Sequence, residues 1–146
     1  MIMNVIEKLP KGLLSIVTMM LIAYLSLDSD PFDAHRIRLF EGADKVAHCI
    51  MYCFLSLTIM MDVAKIKKSK WLDSRMLYLC VVASFAYSVA MEYLQGMMNQ
   101  GRSASMGDVV ANMIGVILGF VVMRYIVMRN NTKRNENDQN KKEESK

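Results

Sequence analysis

The chain contains no glycine-rich phosphate loop, no internal repeat and no second cysteine pair at metal-ligand spacing. It therefore lacks the sequence signatures of phosphate-cradling, solenoid and zinc-ribbon proteins. Its three cysteines, Cys49, Cys53 and Cys80, all fall in apolar stretches. Cys49 and Cys53 stand four apart, but small polarizable packing residues account for them more simply than a thiol pair does. The fifteen methionines read likewise as gap-filling or lipid-facing side chains rather than a metal route. No serine occupies the strand-turn-helix setting of a hydrolase nucleophile, and Ser103 and Ser105 read as turn formers. Basic residues are not interleaved with aromatic ones, so the net charge of +4 does not point to nucleic acid.

What is present is apolar sequence. Hydrophobic residues make up 53% of the 146, and mean hydropathy is positive, which is unusual for a soluble domain. Four runs stand out: Gly12 to Leu27, Val46 to Val63, Met76 to Leu94 and Val109 to Met128, of 16, 18, 19 and 20 residues. At about 1.5 Å per residue the last three come close to spanning a hydrocarbon core of about 30 Å, and the first does so with its flanks. Lys8 and Lys11 before the first run resemble the start of a secretory signal, but Ala23 to Asp28 lacks a small-x-small cleavage site, so the helix is expected to be retained. Apolar character around the whole circumference of these runs argues against a soluble helical bundle. The expected fold is all-α: an integral membrane bundle of four transmembrane helices over residues 1–128, followed by a disordered, mixed-charge tail over 129–146.

Fourteen of the 18 Lys and Arg residues lie at the N-terminus, between the second and third runs, and from Arg124 onward. The excess of cations stays cytoplasmic, so both termini are expected inside, with residues 28 to 45 and 96 to 107 outside. The segment from Asp28 to Asp33 has the acidic pattern of a calcium loop without its turn glycine or closing Glu, and reads as a solvated external loop.

That topology gathers a set of polar residues at one end. Asp44, Lys45, His48 and Tyr52 open the second run, Glu92 and Gln95 close the third, Arg102 follows, and Asp108 and Asn112 open the fourth. Ionisable groups at membrane depth are costly unless paired, so they mark a site. Asp44, His48 and Tyr52 form one helical stripe; Ser88, Glu92 and Gln95 share a face; Asp108, Asn112, Gly115 and Gly119 form another. Gly115 and Gly119 make a small-xxx-small pair suited to close helix approach. Asp44 and Asp108 are expected as helix caps that also shape the site. Glu92 sits where the helix dipole disfavours an anion, so it needs His48, Lys45 or Arg102 as a partner, or else stays protonated. One histidine makes a weak metal case, and no metal or cofactor is expected.

The ordered motifs Asp44-Lys45-x-x-His48-x-x-x-Tyr52, Glu92-x-x-Gln95, Arg102 and Asp108-x-x-x-Asn112-x-x-Gly115 resemble the VanZ-like family of small bacterial membrane proteins, over residues 39 to 120. Gly96 to Gln100 departs from the apolar or proline-containing lead into the Arg that the family pattern has. The resemblance implies a multi-pass protein of the bacterial cytoplasmic membrane and cell envelope, whose founding member is associated with low-level resistance to the glycopeptide teicoplanin. The expected function is an extracytoplasmic pocket that binds, and can modify, an anionic lipid or lipid-linked wall precursor. In it His48 and Glu92 would act as an acid/base pair, and Lys45, Arg102, Tyr52, Gln95 and Asn112 would contact or orient the ligand. Membrane lipids are the expected partners. A noncatalytic membrane scaffold is the next alternative, and a small proton-coupled transporter the third. A polar set at one end rather than at the midplane argues against the transporter.

Overall fold

The computed structural model describes residues 10–27, 42–66, 73–98 and 106–144, with side chains through Arg129. Four helices make up these segments: α1 (Leu13–Leu27), α2 (Ala43–Ile66), α3 (Ser74–Met98) and α4 (Met106–Glu144). Three stretches, α2, α3 and Met106–Arg129 of α4, are long and apolar enough to cross a membrane; α1 is apolar but shorter, at 15 residues or about 22 Å.

Capping groups set where the helices begin, so each of α2 to α4 starts a few residues ahead of its apolar run. Gly42 precedes α2 with φ of 90°, a left-handed conformation that an L side chain rarely adopts, and its carbonyl accepts the first bond from Val46. The Asp73 carboxylate accepts the amide N–H of Met76 at 2.9 Å, satisfying a free donor in the first turn of α3. Asp44 and Asp108, expected as caps, lie inside the first turns of α2 and α4, where a carboxylate still favours the positive end of the dipole.

Successive helices run in opposite directions, with α2 and α4 parallel to each other and in close contact. A Cβ at Gly115 would collide with the carbonyl oxygen of Cys49, and one at Gly119 would lie 2.7 Å from that of Cys53 and 2.9 Å from the Ser56 Cβ. The backbones thus meet without intervening side chains. Ser56 Oγ–H closes the seam on the carbonyl of Val116 at 3.3 Å. Two apolar clusters fill the interior, Ile22, Tyr52, Leu55 and Val116 towards one end and Met60, Leu77, Cys80, Met123 and Val127 towards the other. Large apolar side chains such as Met20, Phe54, Tyr78, Val121 and Tyr125 point outwards, as they do on a bundle solvated by lipid.

The α4 backbone is helical to Glu144, past the apolar part of the helix. Residues 130–144 contain no Gly or Pro to stop a helix, and extending an existing helix adds one bond per residue without a new nucleus.

Candidate functional site

Because α2 and α4 start where α3 ends, the polar positions of three helices converge at one end of the bundle. Asn112, fully buried on α4, lies between His48 on α2 and Glu92 on α3. Its side-chain N–H donates to Glu92 Oε1 at 3.1 Å. The amide oxygen is thereby turned to His48 Nδ1, 3.0 Å away, and since that oxygen only accepts, Nδ1 carries the proton. His48 Nδ1 is also 3.6 Å from Glu92 Oε1. The result is a buried chain, His48 to Asn112 to Glu92, with the imidazole oriented by one neutral and one acidic partner. Tyr52, one turn further along α2 and 1% exposed, stacks on the imidazole with ring centroids 6.5 Å apart at 12°.

With Nδ1 protonated, the second ring nitrogen of a neutral His48 is a lone pair. It faces Asp44 Oδ1 at 3.9 Å. Asp108, buried in the first turn of α4, completes the group: one donor atom each from Asp44, His48 and Asp108 lie within 4.8 Å of one another. These three are the described residues that could hold a metal ion. Glu92 is electrostatically coupled to His48, Asp44 and Asp108, and its Oε2 is buried without a hydrogen-bond partner. Ser88 Oγ, one turn below Glu92 on the same face, is likewise buried and unpartnered.

Of the other expected site residues, Gln95 is buried one turn beyond Glu92, and Lys45 is exposed in the first turn of α2. Arg102 and the acidic segment Asp28 to Asp33 lie outside the described residues. The three suggested partners of Glu92 thus divide: His48 meets it, while among the described residues no Lys or Arg pairs with Glu92 or Asp108. Three carboxylates surround one imidazole, a local charge opposite in sign to what an anionic ligand calls for.

A second polar cluster occupies the opposite end of α2 and was not anticipated. Asp62, 2% exposed, accepts both the backbone N–H and the Oγ–H of Ser15 at 2.8 Å and lies 3.6 Å from Lys65 Nζ. Its signal was available: it is a carboxylate inside an apolar run with a lysine three residues on, and the criterion of charge at membrane depth applies to it too. Tyr87 O–H, donating to the Met19 carbonyl at 2.7 Å, similarly ties α3 to α1.

Neither curated proteins nor solved structures yield a match to the chain. A family model described as VanZ/LLP1 matches residues 4–128, beyond the motifs between 39 and 120 and through the whole apolar part of the bundle. The residues that meet around Asn112 all fall inside that match, and the chain belongs to the VanZ/LLP1 family.

Proposed function

We infer that this protein spans the cytoplasmic membrane of a bacterium four times, with both termini and the α4 extension inside. Its polar cluster would then face outwards, where it binds an anionic lipid or lipid-linked wall precursor. The distribution of Lys and Arg supports the orientation, and Pro10 to Gly12 with the Asp62 contact supports α1 as a fourth, short span. The observation that carries the ligand site is the buried His48–Asn112–Glu92 chain, with one carboxylate oxygen left unpartnered. Lys45, Arg102 and Gln95 contribute ligand contacts, and His48 with Glu92 handles protons where the ligand is modified.

The test is mass spectrometry of lipids and wall precursors from cells producing wild type, His48→Ala or Glu92→Gln at matched membrane levels, against cells lacking the protein, with teicoplanin susceptibility measured alongside. A species that changes only with wild type identifies the ligand and assigns it chemistry. Unchanged lipids in all strains, with no lipid retained on the purified protein, would overturn the proposal. A noncatalytic scaffold is the second reading, favoured by one observation: the same hydrogen-bonded chain ties three helices together. That reading predicts that Glu92→Gln depletes the protein from the membrane.

A further inference from the structure

An anion-binding site built from three carboxylates and one imidazole has a charge problem. Asp44, Asp108 and Glu92 lie within electrostatic reach of one another around His48, no Lys or Arg among the described residues pairs with Glu92 or Asp108, and Lys45 is exposed. A phosphate brought here meets repulsion before it meets a donor.

The hydrogen bonds of His48 point to what reconciles the two. Metal-bound histidines present one ring nitrogen as a lone pair and donate the other N–H to a carbonyl or carboxylate, which fixes tautomer and ring orientation. His48 has that arrangement: Nδ1–H is held by Asn112, itself held by Glu92, and Nε2 is directed at Asp44 with Asp108 close by. The imidazole and Asp108 are both buried, so water compensates the Asp108 carboxylate little, whereas Asp44 is half-exposed. Tetrahedral ligands about 2.1 Å from a metal lie about 3.4 Å apart; the three donor atoms here lie within 4.8 Å of one another, so closing on an ion draws them inward, with Asp44, whose side chain is 52% exposed, the one at the surface.

The geometry points to a divalent metal site formed by Asp44, His48 and Asp108, whose open coordination positions receive a phosphate oxygen of the anionic ligand. One imidazole nitrogen and two carboxylate oxygens select Zn2+ or Mn2+ over Ca2+ and Mg2+, which prefer oxygen alone, and over Cu+, which prefers thiolate. In this arrangement His48 Nε2 is a metal ligand, which replaces the proton-handling role proposed for His48 above, and Asn112 and Glu92 are its positioning residues. The phosphate half of the inference rests on the anionic-ligand reading above, while the metal half does not.

The test uses full-length protein freed of any histidine tag, stripped with chelator, and placed in nanodiscs of phosphatidylcholine alone. Zn2+ or Mn2+ binding is then read by mass spectrometry of the metal and by calorimetry. Wild type is expected to take up one ion per chain. The half-exposed Asp44→Asn, which leaves the buried interior untouched, and Asp108→Asn are each expected to weaken binding by about ten- to hundredfold, and Asn112→Ala by about tenfold through the orientation of His48. No uptake by folded wild type overturns the site, as does uptake that Asp44→Asn and Asp108→Asn leave unchanged.

A second arm repeats the measurement in nanodiscs containing phosphatidylglycerol and, separately, with soluble inorganic phosphate. Metal-dependent retention of the lipid but not of free phosphate identifies a headgroup as the ligand. One bound ion without retention of either leaves the metal site standing and overturns the anionic-ligand reading. Retention of lipid in the presence of chelator, lost in Arg102→Ala, does the reverse: the anion is held by arginine and the metal inference fails.

Discussion

The two ends of α2 each bury a carboxylate, and only one of them is explained by folding alone. Asp62 takes two hydrogen bonds from Ser15 on one oxygen, in the first turn of α1, and stands beside Lys65, so its charge meets a helix dipole and a cation, while its second oxygen has no hydrogen-bond partner. Glu92, six residues before the end of α3, takes one bond from Asn112, likewise leaves its second oxygen unpartnered, and has His48 and two further carboxylates for neighbours. A buried charge with complementary partners is structural; one held against its surroundings carries a cost that stability does not account for. The two clusters share one helix and comparable burial, so the comparison is internally controlled.

The harshest way to break it is Asp62→Ala. The substitution leaves the mostly buried Lys65 without its partner and the first turn of α1 without its acceptor, and loss of a buried pair costs about 3–5 kcal/mol. Thermal unfolding in detergent should show that loss, with α1 becoming susceptible to proteolysis first, while ligand retention by the fraction that remains folded is unchanged. Stability equal to wild type would mean that the Asp62 cluster is not structural.

Asn112→Ala comes next, because it strands the His48 N–H and an oxygen of Glu92 at once. Two buried groups losing their hydrogen bonds cost about 2–3 kcal/mol. Here, unlike at Asp62, ligand retention should be lost as well, since the imidazole loses its orientation. Retention at wild-type level in the folded fraction would count against a positioned His48.

Between the two clusters runs a seam that should answer to sterics alone. Gly119→Ala puts a Cβ 2.7 Å from the Cys53 carbonyl, and overpacking of this kind costs about 1–3 kcal/mol. Unfolding midpoints should fall without a change in ligand affinity per folded molecule. A change in affinity at fixed fold would show that the α2–α4 spacing, and not the end cluster alone, sets the site.

Much of this arrangement is legible in the chain. The three long helices follow from uninterrupted apolar runs, and the end cluster follows from alternating helix direction, which brings the starts of α2 and α4 to the end of α3. The helix starts at Ala43, Ser74 and Met106 were less visible, because they are set by Gly42, by Asp73 and by first-turn carboxylates rather than by hydrophobicity. Asp62 was hidden for another reason: it interrupts an apolar run by one residue, and its principal partner, Ser15, is 47 positions away. The mixed-charge composition of residues 130–144 suits both the helix that α4 continues there and a disordered chain. Pairing within the cluster was beyond sequence, since a spacing places His48 on a face but does not choose Asn112 as its neighbour.

The mildest substitution sharpens the comparison most, because it removes one charge from each end while keeping shape. Asp62→Asn retains an oxygen for Ser15 but gives up the attraction of Lys65 and of the α1 dipole, so it should destabilise by about 1–2 kcal/mol. Glu92→Gln keeps the Asn112 bond on its amide oxygen, removes the cost of burying a carboxylate and the repulsion from Asp108 and Asp44, and gives up the attraction to His48, so its stability should lie within about 0.5 kcal/mol of wild type or above it. Paired unfolding curves, with ligand retention measured on the same preparations, separate the cases. If Glu92 belongs to a binding site, its variant is the more stable of the two and the one that no longer retains ligand. If both variants lose stability equally and retain ligand equally, the two carboxylates are equivalent struts, and the His48–Asn112–Glu92 chain is architecture.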